Sequence, residues 1–85
     1  ADGRTLASWT GFGTMPDGIA IGADDTLYVA DVGEGGGVML ASAVDGTIRS
    51  KISGTRVEGV SVDSQGTVYA GETLRGYKLR VFAKP

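Results

Sequence analysis

Four carboxylates stand close together in "MPDGIAIGADDTLYVAD", Met15 to Asp31: Asp17, Asp24, Asp25 and Asp31. Neighbouring carboxylates can do two kinds of chemistry. A pair can split its pKa values and work as acid and base, or several can gather oxygen ligands around a hard cation such as Ca²⁺. Other chemistry is closed to this chain. It has no Cys and no His, which removes thiolates, the usual general base and the commonest metal ligand. No Ser lies in a G-x-S-x-G context. "GEGGG", Gly33 to Gly37, resembles a phosphate cradle in composition. It lacks the Lys-Ser/Thr and the helix that such a cradle needs, so it reads as a flexible connection. Net charge is −2 and the basic residues are scattered, which argues against nucleic-acid binding. No apolar run nears the roughly 18 residues that span a membrane.

The elements that position these carboxylates follow from an internal repeat. Gly18 and Gly59 are 41 residues apart, and so are Thr26 and Thr67, Tyr28 and Tyr69, and Gly35 and Gly76. At the same offset Asp17 matches Glu58, Ile19 Val60, Ile21 Val62, Leu27 Val68, Asp31 Glu72, Val38 Leu79 and Leu40 Val81. Farther upstream, "DGRTLASW" from Asp2 parallels "DGTIRSKI" from Asp45 at an offset of 43. Short Val/Ile/Leu/Tyr runs separated by Gly and Asp turns predict strands. "GIAIGA" and "GVSVDS" are first strands, "TLYVAD" and "TVYAGE" second, "GVMLAS" and "KLRVFA" third, "TIRSKIS" and "RTLASWT" fourth. No segment has a sustained helical period with caps. Four strands in a period near 41 predict an all-β chain built of β-propeller blades.

"MPDGIAIGADDTLYVADVGEGGGVMLASAVDGTI" resembles the NHL-repeat family of β-propellers, whose unit has the form P-x-G-[IV]-A-[IV]-x-x-x-[DG]-x-[LV]-Y-V-A-D, then a turn, a third strand and a D-G turn. The second unit is similar to the last blade of such propellers. Departures are Val57 for the expected Pro, Gly71 within the second "YVAD", and Gly37 where Arg is common. Asp17 or Glu58 stands where the family often has His, so histidine-held metal is not implied.

The strand arithmetic predicts two blade equivalents. Residues 1–14 hold an orphan fourth strand, 15–54 a complete blade, and 55–85 a three-strand partial blade. Propellers close with roughly 4–8 blades. The chain therefore reads as the end of a longer propeller or as a unit, natural or engineered, that associates with itself. A first segment, "ADGR", without an initiator Met implies a processed or excised chain. A homotrimer would give six blades, closed by pairing the N-terminal strand beside "KLRVFA" of the neighbour. Leu6, Trp9, Leu79, Val81 and Phe82 are the expected closure residues, and such pairing would cover open edges.

In a propeller of this type Asp17, Glu58, Asp31 and Glu72 share one face, with Arg56, Arg75 and Tyr77 on its rim. These seven are the candidate ligand residues. Asp17 and Glu58 are the metal candidates, for Ca²⁺ or another divalent cation, against the reading that they are solvated charges. Asp31 and Glu72 carry two readings, cation ligands or turn carboxylates that accept backbone N–H groups. Asp24 and Asp25 read as turn residues, because their repeat equivalents are Gln65 and Gly66. No catalytic residue and no resident cofactor is assigned. The expected function is a non-catalytic scaffold or binding module. The alternative is the C-terminal part of an NHL-like hydrolase or lyase with a carboxylate-bound metal.

Overall fold

The computed structural model describes residues 2–72 and 78–85. Seven strands form among them: β1 Pro16–Ile21, β2 Thr26–Asp31, β3 Gly37–Ser42, β4 Ile48–Ile52, β5 Gly59–Val62, β6 Val68–Gly71 and β7 Leu79–Phe82. They make two antiparallel sheets, one in the order β1-β2-β3-β4 and one in the order β5-β6-β7. The fold is all-β, as the period-2 runs predict.

The turns explain why the strands reverse where they do. Between β1 and β2, Asp24 Oδ1 accepts the Thr26 N–H at 3.2 Å, and Asp25 takes φ +61°. Between β5 and β6, Asp63 Oδ1 accepts the N–H groups of Gln65 at 2.9 Å and Thr67 at 3.0 Å. Gly66, the equivalent of Asp25, has φ +84°. Both hairpins thus need one residue in the left-handed region, and the second unit fills it with the residue that does so without steric cost.

Alternation within each strand gives every sheet two faces. The register sets Ala20, Tyr28 and Leu40 on one face of the first sheet, with Ala30 and Val38 beside them. That face packs on Val60, Val62, Val68, Ala70 and Phe82 of the second sheet, with Val57 buried between. Fully burying an aliphatic side chain here contributes about 1.5–3 kcal/mol. The first sheet's other face carries Leu27, Val29 and Ala41, partly covered by Phe12 and Met39. Ile19 and Ile21 lie on this outer face and are each 63% exposed. The second sheet's outer face carries Tyr69 opposite Ser61 and Val81. There Leu79 is 66% and Val81 56% exposed.

The two sheets meet most closely at their first strands. The β1–β2 register slips between Pro16 and Ile19, and the Gly18 N–H is donated to the Glu58 carbonyl at 3.0 Å. A Cβ on Gly18 would lie 2.6 Å from that oxygen, so this approach requires glycine.

Residues 2–15 precede β1 and join no sheet. The strand expected over 4–9 is therefore not formed in the single chain. A strand needs a partner edge, and residues 4–9 precede β1 of the first sheet and pair with no edge of either sheet. The turn that would start it is nevertheless present. Asp2 Oδ1 accepts the Arg4 N–H at 3.1 Å as Asp45 Oδ1 accepts that of Thr47 at 3.0 Å. Gly3 and Gly46 have φ +75° and +78°.

Candidate functional site

Asp31 ends β2 and is buried. Its Oδ1 accepts the N–H groups of Gly33 at 2.9 Å and Met15 at 3.0 Å, and its Oδ2 accepts that of Thr14 at 3.3 Å. Burial pushes the carboxyl up. The N–H groups of Gly33, Met15 and Thr14, aided by the Lys51 charge, outweigh that and hold it below its ordinary value. All three contacts are backbone donors, as the turn-carboxylate reading expects, and they tie the entry of β1 to the exit of β2.

Glu72 occupies the equivalent place in the second sheet, and among the described residues its carboxylate accepts no backbone N–H from Thr55 or Arg56, the equivalents of Thr14 and Met15. Its backbone N–H is donated to Lys78 O at 2.9 Å. Its side chain is 10% exposed, with Oε2 3.8 Å from Arg80 Nε, beyond hydrogen-bond reach. Arg80 in turn lies over Phe82, 5.5 Å from the ring centre. Glu72 lines a cleft of about 450 Å³ with Gly35, Gly36, Ser53, Gly54, Thr55 and Arg56. Arg56 is anchored there by Nε, which donates to Val32 O at 3.0 Å. Lys51 reaches the neighbouring connection, where its ammonium donates to Gly35 O. The "GEGGG" connection is a turn, closed by Gly36 N–H to Gly33 O at 2.9 Å.

The structure thus brings together Arg56 and Glu72 among the sequence candidates. Asp17 and Glu58 are exposed and lie side by side through the Gly18–Glu58 backbone contact. Among the described residues, no three acidic side chains gather at metal-holding distance. Arg75 and Tyr77 lie outside the described residues. Among the expected closure residues, Leu6 is 85% exposed, Leu79 and Val81 are exposed, and Phe82 is half-buried. Trp9 covers Gly46, where a Cβ would overlap the indole.

Sequence reasoning passed over Thr55. A lone threonine in a connection carries no motif. The signal that could have found it is its match to Thr14 at the same offset of 41, which places it at the mouth of the second sheet.

Compared with known proteins, the chain matches no family model and no curated protein.

Proposed function

We propose that the chain is a non-catalytic repeat scaffold and binding module: two blade equivalents of an NHL-type β-propeller that self-associate into a closed ring, three copies giving six blades. One observation carries this reading. The residue pattern of the interface between the two sheets recurs, at the 41-residue offset, on their two outer faces, where Ile19, Ile21, Leu79 and Val81 are exposed and Phe12 partly covers Leu27 and Val29. On the first sheet's buried face, Ala20, Tyr28, Val38 and Leu40 correspond to Ser61, Tyr69, Leu79 and Val81 on the second sheet's outer face. On the second sheet's buried face, Val60, Val62, Val68 and Ala70 correspond to Ile19, Ile21, Leu27 and Val29 on the first sheet's outer face. The contact that joins the sheets within a chain can therefore be repeated between chains, head to tail.

A head-to-tail contact of this kind closes when its rotation divides a full turn. The edge strand β7 supports the same reading. Among the described residues it pairs only with β6, and an open edge of Leu79-Arg80-Val81-Phe82 invites another strand. Residues 4–9, which follow the same Asp-Gly entry turn that precedes β4, supply that strand.

The test is mass in solution by multi-angle light scattering. Three times the 8.7 kDa chain, about 26 kDa, is expected. A well-folded species at the monomer mass would sink the proposal.

A further inference from the structure

The repeat provides an internal comparison at the cleft beside Glu72. Thr14, Met15 and Asp31 in the first unit stand 41 residues before Thr55, Arg56 and Glu72 in the second. The first trio is closed, with Asp31 accepting both backbone N–H groups. The second trio is open. Thr55 is 5% exposed and the Glu72 side chain is nine-tenths buried. Yet Thr55 Oγ1 and Glu72 Oε2 have no hydrogen-bond partner among the described residues. Glu72 Oε2 has only the loose ion pair with Arg80 at 3.8 Å, and buried polar atoms without a hydrogen bond are costly to a fold. Thr55 and Glu72 line the same cleft of about 450 Å³, which falls within the size range of small-molecule pockets.

The donor and acceptor inventory limits what fits. An ionised carboxylate only accepts, so the ligand must donate to Glu72. A guanidinium only donates. Arg56 uses Nε on Val32 O, and its remaining N–H groups suit an anionic acceptor. The Thr55 hydroxyl can do either. The ligand therefore carries a donor for Glu72 and an anionic acceptor for Arg56, both of which line the one cleft. We propose that this cleft binds a free α-amino acid, its ammonium on Glu72 and its carboxylate on Arg56, with the Thr55 hydroxyl bonded to the carboxylate. The site goes beyond the scaffold reading and does not depend on it, because one chain supplies all its residues.

The experiment is titration calorimetry of the whole chain with L-alanine, and with methylamine, acetate and xylose as comparison probes. Saturable binding of alanine is expected, with methylamine and acetate, each able to make only half the contacts, far weaker. Glu72→Gln removes the charge that holds the ammonium and weakens binding about tenfold or more. Thr55→Val weakens it several-fold, while Lys84→Gln, outside the cleft, leaves it unchanged. Should Glu72→Gln fail to fold, the wild-type amide resonances of Gly35 and Gly36 decide the matter, since they must shift with the same saturation constant. The proposal is overturned by absence of saturation at about 10 mM alanine, a concentration where even millimolar affinity registers. Unchanged affinity in Glu72→Gln, or Glu72-dependent binding of xylose in place of alanine, overturns it equally.

Discussion

Asp31 shows how one side chain can set a junction. Its carboxylate satisfies three backbone donors from two segments, so its removal leaves the buried Gly33 N–H and the part-buried N–H groups of Thr14 and Met15 without it. Asp31→Ala is expected to destabilise the fold by about 3 kcal/mol or more, read as a lower urea midpoint. The pH dependence follows from the depressed carboxyl. A group bound less tightly to its proton in the folded state stabilises the fold above its unfolded value and loses that contribution as pH falls through the folded value. The Asp31 contribution is therefore complete above the ordinary value of 3.8 and declines below it, alongside those of the similarly lowered Asp24, Asp45 and Asp63. Asp31→Asn should flatten this acid limb in urea titrations at a series of pH values. An unchanged limb would show that another group controls it. Asp25 carries the opposite lesson. It holds φ +61° where the second unit has glycine, and its side chain makes no hydrogen bond among the described residues, unlike that of Asp24. Asp25→Gly relieves left-handed strain of about 1 kcal/mol but adds unfolded-state freedom of comparable size. The net gain expected is between zero and about 1 kcal/mol, measured by thermal or urea unfolding. A clear loss would mean that the aspartate is held there by more than its turn.

At the scale of elements, the strands were legible because each is a short alternating run between turn residues, and the 41-residue echo made one unit a check on the other. Seven predicted strands appear at or within a few residues of the expected runs. The eighth, over 4–9, does not, and the reason is physical. A strand is a relation between two chains of hydrogen bonds, and sequence pattern alone cannot supply the partner. The carboxylate roles were only half legible for a similar reason. Asp31 and Glu72 look alike in the repeat, but their surroundings differ: Arg80 stands 3.8 Å from Glu72, where the first unit has Met39 in the equivalent position. If residues 4–9 pair with β7 of a neighbour, alternate N–H groups along them must be donated across the ladder. One of the adjacent residues Leu6 and Ala7 must then be a donor. Converting both to proline removes the donor whichever it is. Because these residues join no sheet in the single chain, its far-UV circular dichroism should keep its β character while the assembled mass falls. An assembly of unchanged mass and stability would exclude this pairing.

At the scale of the whole molecule, the question is whether the contact between sheets within a chain is also the contact between chains. Two equivalent glycines separate the possibilities. Gly18 lies inside the internal contact, where an added Cβ would stand 2.6 Å from the Glu58 carbonyl oxygen. Gly59 is its equivalent 41 residues later, and an added Cβ there meets nothing within 4 Å. Neither has the positive φ that would make a side chain strained by itself. Gly18→Ala must push the two sheets apart at β1 and β5 and should destabilise every form of the protein. Gly59→Ala should leave the single chain's fold intact. If the proposed ring forms by repeating the internal contact, the Gly59 N–H would take the role of the Gly18 N–H and be donated to the Asp17 carbonyl of the next copy, so the new methyl would fall on backbone oxygen there. A backbone atom cannot rotate away as a side chain can, and a close-packed interface transmits the displacement. The expected result is a folded Gly59→Ala chain whose light-scattering mass drops toward 8.7 kDa, with far-UV circular dichroism unchanged. Gly18→Ala lowers the unfolding midpoint instead. If Gly59→Ala assembles as the parent does, the second sheet's outer face meets its neighbour in some other way, and the translation of the internal contact is wrong even if the chain is oligomeric.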